Sequence, residues 1–126
     1  MTLILDAGAF LAVERGDRDV VALVKAERHA GRVPVTHGGV VGQVWRGGTG
    51  RQVPVARLLA GTDVGPLGDD LGRRAGLLLA RAGSSDVIDA ALVLLAGDGD
   101  LVLTSDPGDL RPLAAAAGLH VDLVPV

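Results

Sequence analysis

Three groups of aspartates stand where they could act together. Asp6 follows the apolar run Leu3 to Leu5 in "LILDAGAF", and Asp106 follows Leu101 to Leu103 in "LVLTSDPGDL". Asp86 and Asp89 open "SSDVIDAALVLLA", the most apolar helical stretch of the chain, and Asp109 trails Asp106 by three residues. Each aspartate alone reads as a helix cap, because a carboxylate accepts from the free N–H groups of a first turn. The pairs 86/89 and 106/109 are spaced like a cap and its partner three residues on. Taken jointly they read differently. Two follow buried strands and the third group opens a buried helix, so a parallel sheet brings several carboxylates to one rim. Carboxylates that close stay ionised only if a cation neutralises them. Hard oxygen donors suit Mg²⁺ or Mn²⁺. Such a site, open to water, is suited to phosphodiester hydrolysis, with the metal activating water and offsetting charge on the phosphate.

The elements that must position these residues follow from periodicity. Leu3–Leu5 reads as a fully buried strand without polar alternation. Helices are expected over 7–15, 18–29 (capped by Asp17), 38–46, 53–60, 69–82, 87–97 and 107–117. Further strands are expected at 32–36, in "TDVGPL", at 101–104 and in "HVDLVPV". Pro34 suggests that the first of these is an edge strand or meets the proline at its end. Pro107 starts the last helix and Gly118 stops it. Strands alternating with helices give a single domain, residues 1–126, of three-layer α/β/α type with a mainly parallel sheet.

Composition narrows the classes. The 126 residues are almost half hydrophobic, with Phe10 and Trp45 the only aromatics, both expected as core or interface anchors. Two aromatics are too few for a base-stacking platform. No apolar run nears the roughly 18 residues of a membrane span, and "MTLILD" is no signal peptide. With no cysteine there are no thiolate metal sites, and a cytoplasmic location is the default. Residues 46–81 hold six Arg against three Asp, a net +3, so the rest of the chain carries −6 of the overall −3. A basic middle beside an acidic body fits phosphate in one place and metal in another. Solvated helix faces account for the same counts.

Taken in order, "LILDAGAFLA", "SSDVIDAALVLLA" and "LVLTSDPGDL" resemble the PIN-domain ribonucleases, and among them the VapC toxins of type II toxin–antitoxin systems. The resemblance spans the whole chain. It implies a Mg²⁺- or Mn²⁺-dependent endoribonuclease acting on structured RNA of the tRNA or rRNA class. It also implies a homodimer neutralised by a cognate antitoxin protein. Carried onto this sequence, the family's acids fall on Asp6, Asp89 and Asp106, with Asp86 as close neighbour. Thr104 and Ser105 fall where hydroxyls often orient the ligands. One position departs: the family's glutamate after the second strand matches Gln43 in "VTHGGVVGQVWR", which removes a negative charge. That departure keeps open a second reading, a PIN-like protein weakened or inactive in catalysis that works through protein binding.

Other chemistry is poorly served. A receiver-like phosphoacceptor needs a strand-end lysine, and the one lysine, Lys25, sits in an expected helix. A D-x-D phosphatase is disfavoured by Gly8. His29, His37 and His120 share no ligand spacing; His37 reads as a cap or surface residue, or as polar lining near Gln43. The glycines at 38, 39 and 42 form no dinucleotide or phosphate loop.

Overall fold

Leu3, Ile4 and Leu5 form strand β1 (Leu3–Leu5), buried along its whole length. In the computed structural model, which describes residues 1–126, it lies at the middle of the sheet. The chain leaves it through α1 (Ala7–Glu14) and α2 (Arg18–His29) to β2 (Val35–His37). It then runs through α3 (Gly38–Val44), a 3-10 turn (Gly50–Gln52) and α4 (Val53–Ala60) to β3 (Asp63–Gly65). From there α5 (Asp69–Ala82) and α6 (Val87–Leu94) lead to β4 (Leu101–Thr104), and α7 (Pro107–Ala116) leads to β5 (Asp122–Pro125). All strand pairs are parallel, in the order β3-β2-β1-β4-β5.

This order decides where the helices sit. Successive connections from β1 to β3 step one way along the sheet; those into β4 and β5 step the other way. Right-handed crossovers therefore put the first four helices on one face and α5, α6 and α7 on the other. The packing agrees: α1 meets α2, α3 and α4, and α5, α6 and α7 meet one another. The chain reverses between β1 and β4, and open α/β sheets form a crevice past the strands' carboxyl ends at such a reversal. Asp6 follows β1 and Asp106 follows β4. The core between the layers is aliphatic apart from Phe10, with Leu78, Leu92 and Leu103 among its largest fully buried side chains. No helix is long and apolar enough to cross a membrane.

Among the expected boundaries that move, three do so for a clear local reason. The second strand begins at Val35, not residue 32. Arg32 turns back to make a two-pronged ion pair with buried Glu27 (2.9 and 3.0 Å), and Pro34 stands just before the strand. The strand lies inside the sheet, so the proline marks its end. The third helix stops at Val44, not 46. The buried Gln52 amide takes over there, donating to Val44 O (2.7 Å) and accepting from Arg46 N (2.7 Å). The sixth stops at Leu94, not 97, where Leu95 and Ala96 donate three residues back. Asp100 then caps the turn through Gly97 N (2.8 Å) and holds Thr2 N (2.7 Å). Of the two aromatics, Phe10 is wholly buried. Trp45 is 40% exposed and lies against Gly48, whose left-handed backbone (φ 71°) leaves no room for a Cβ beneath the ring.

Candidate acidic site at the carboxyl edge of the sheet

Asp6 leaves β1 still buried, with only 7% of its surface exposed. Its Oδ1 accepts from Ala7 N (2.7 Å) at the start of α1, and its Oδ2 accepts from the Thr104 hydroxyl (2.7 Å). Thr104 ends β4, fully buried, and its oxygen also accepts from Asp106 N (3.0 Å). One hydroxyl thus links the side chain of the first acid to the backbone of another across neighbouring strands. A buried hydroxyl with both partners met is oriented, and so is the carboxylate it serves.

The caps separate the aspartates. Asp86 behaves as a cap, accepting from Asp89 N (3.1 Å). Asp106 sits in the cap position of α7 but makes no capping bond; Ser105 Oγ reaches its Oδ2 at 3.4 Å. Capping therefore accounts for Asp86 and in part for Asp6, but not for Asp106. Asp86, Asp89 and Asp109 line an open hollow of about 380 Å³ together with Ser84 and Ser85. A larger hollow, about 540 Å³, lies between α7 and β5. Its charged or titratable groups are Arg111, His120 and Asp122, so volume alone is a poor guide to where chemistry is concentrated.

Electrostatics ties the five carboxylates together. Half-buried Asp89 has its carboxyl pushed up to about 7. Burial is the largest cause, followed by the charges of Asp86, Asp6, Asp109 and Asp106. No arginine or lysine forms an ion pair with them: the four ion pairs of the chain join Arg32 to Glu27, Arg51 to Glu14, Arg73 to Asp69 and Arg74 to Asp70. The last two pairs are exposed and spaced i,i+4, so they are worth only tenths of a kcal/mol. A group whose charged form is opposed by burial and four like charges is the pattern found where a cation or a proton belongs.

Of the residues singled out in the sequence, Asp6, Thr104, Ser105 and Asp106 form one bonded chain, and Asp86, Asp89 and Asp109 face the adjoining hollow. Gln43 does not line that hollow. It is exposed on the last turn of α3 and borders a separate depression with Leu11, Glu14, Arg46, Arg51 and Gln52. His37 is a cap as expected, but it is wholly buried.

Three further residues matter in ways that motif spacing does not show. Thr36 is fully buried and donates to Leu5 O (2.7 Å), and Gln52 holds the turn after α3. A polar residue closing an apolar strand was the available signal for Thr36. The third is Gly8, in the first turn of α1. A Cβ there would stand 2.7 Å from Ser105 N and 2.8 Å from its Cβ and Oγ. The glycine lets α1 start against the backbone that carries Asp106. Gly8→Ala is expected to cost about 1–3 kcal/mol, as overpacking against backbone does. Urea denaturation gives the loss, and an unchanged midpoint would mean the junction has slack.

No three His, Asp or Glu side chains stand, as placed, in an arrangement that holds a metal ion. The donor chemistry nonetheless fits Mg²⁺ or Mn²⁺. Every candidate ligand is an oxygen, no cation competes, and the hollow is open to water. Mg²⁺ keeps several waters and takes one or two carboxylates directly, so it does not require a ready-made cage. No protein-family model matches the chain, and no curated protein matches it.

Proposed function

We propose that this chain is a metal-dependent endoribonuclease of the PIN-domain, VapC-like kind. On this reading it cuts structured RNA, is neutralised by a cognate antitoxin and works as a homodimer in the cytoplasm. The observation that carries the reading is the convergence of five carboxylates, none of them ion-paired, at the reversal point of the sheet. Asp6, Asp89 and Asp106 are the residues to hold the ion, with Asp86 and Asp109 adding negative charge and hydrogen-bonding water. Bound there, the ion supplies an activated water and offsets charge on the scissile phosphate. Thr104 keeps Asp6 aimed and Asp106 in place. Ser84 and Ser85 offer hydroxyls at the hollow's lining, and the Ser105 hydroxyl donates to Asp106.

The second reading, a weakened PIN-like protein that acts by binding, is favoured by one observation. Gln43 supplies no carboxylate and borders a different depression. One experiment separates the two. Purified protein is incubated with total RNA in Mn²⁺ or in chelator, and the new 5′ ends are mapped. Discrete ends that need Mn²⁺ and vanish in Asp6→Asn are expected. No cleavage in any divalent metal, with the antitoxin removed, would leave the binding reading.

A further inference from the structure

Thr36 and His37 are consecutive, both wholly buried, and both donate to a backbone carbonyl. Thr36 Oγ1 donates to Leu5 O at 2.7 Å, and Leu5 immediately precedes Asp6. His37 Nε2 lies 2.9 Å from Ile88 O, and Ile88 immediately precedes Asp89. The ring's other nitrogen, Nδ1, accepts from Gly39 N (3.0 Å), capping α3. Nδ1 is therefore the bare nitrogen and Nε2 carries the proton, so His37 is a donor to Ile88. We propose that Thr36 and His37 form a double tether that sets the placement of Asp6 relative to Asp89, making both residues positioning residues of the acidic site. This rests on the reading of that site given above.

The argument is one of connectivity. Asp6 and Asp89 stand on opposite layers: one starts α1, the other lies in the first turn of α6. Between β1 and β2 the sheet register pairs only Ile4 with Val35, so past that point the Thr36 hydroxyl ties Leu5 to β2, while Leu103 of β4 pairs with Leu5 on the other side. Ile88 O belongs to the α6 turn that carries Asp89. The imidazole reaches it from the end of β2, and it is the only side-chain hydrogen bond between that turn and the sheet. Partners hydrogen-bonded to a metal's ligands themselves typically account for about 10–100-fold in metal affinity; tethers to the neighbouring backbone carbonyls act one residue further away and are expected at the low end of that range.

Two substitutions at position 37 take its two bonds apart. Asparagine is a preferred cap and keeps an acceptor for Gly39 N, but it is too short to reach Ile88 O. Glutamine is long enough to donate to Ile88 O and gives up most of the cap. The readouts are hydrogen–deuterium exchange at the Asp89 and Ala90 amides of metal-free protein, and calorimetric titration of Mn²⁺. His37→Asn is expected to keep the fold, to speed exchange at those amides and to weaken Mn²⁺ binding about ten-fold. His37→Gln is expected to restore both in large part. Thr36→Val, isosteric and at home in a strand, is expected to weaken Mn²⁺ binding by a smaller factor; it decides the matter alone if His37→Asn fails to fold. Unchanged exchange and unchanged Mn²⁺ affinity in the folded variants overturn the tether. If wild type binds no Mn²⁺, the metal reading falls by itself. Exchange then decides the tether: faster exchange in His37→Asn supports it, and equal exchange overturns it.

Discussion

Asp6→Asn is expected to abolish RNA cleavage while the protein stays folded. Asparagine has the same shape and still offers one oxygen to Ala7 N, so α1 keeps its start. What changes is the other side of the group. The Thr104 hydroxyl donates to Asp6 Oδ2 and accepts from Asp106 N. An amide NH₂ facing Thr104 gives it a second donor where it needs an acceptor, so the hydroxyl proton loses its partner. The local cost is about 1–3 kcal/mol. The catalytic cost is larger, because the loss removes a negative ligand and disturbs a second one through the shared hydroxyl. Several kcal/mol of transition-state stabilisation amounts to a rate loss of about two orders of magnitude or more. Cleavage is followed on a mapped RNA at saturating Mn²⁺, and circular dichroism checks the fold. A variant that retained full activity would reduce Asp6 to a cap.

Much of this was legible in the sequence because it is local. The ranges of α2, α4, α5 and β4 follow from apolar spacing between glycines, caps and prolines. The aspartates that converge could be picked out as those leaving buried strands or opening the most apolar helix. What was not legible depends on who sits beside whom. That β4 inserts next to β1, so that Thr104 meets Asp6, is set by the crossover of α5 and α6 over the sheet. No spacing in the chain announces it. Nor does spacing show that Asp86 spends an oxygen as a cap while Asp106 does not. Gln43 illustrates the opposite hazard. A one-dimensional match puts it with the acids, whereas its position near the end of α3 carries it toward Glu14 and Gln52. His37 was readable as a cap from the helix that follows it. Its second bond, 51 residues along the chain, was not.

Asp89→Asn should make the metal-free protein more stable at pH 8 while removing its response to divalent metal. The sign follows from linkage. In the unfolded chain Asp89 has an ordinary carboxyl near 3.8; in the fold it is pushed up to about 7. Between those values the native state holds a proton that the unfolded state has released, so stability falls as pH rises across the interval. The contribution is fully present below about pH 4, is lost through pH 7, and stays lost above it. Asparagine carries no charge at any pH and keeps the size of the group, so that part of the slope disappears. Its neighbours gain as well, since Asp86, Asp6, Asp109 and Asp106 lose a like charge. The measurement is melting temperature from pH 4.5 to 8.5 in chelator and in Mn²⁺. Metal-free wild type should lose stability toward pH 8 and recover it in Mn²⁺, which neutralises the same repulsion; Asp89→Asn should be flatter in chelator and nearly indifferent to metal. The cost is activity, which should fall with the lost ligand as in Asp6→Asn. That pairing of a more stable fold with a lost function is what a repulsive site predicts and a structural cap does not. A variant less stable than wild type at pH 8, or one still stabilised by Mn²⁺ to the wild-type extent, would take Asp89 out of the site.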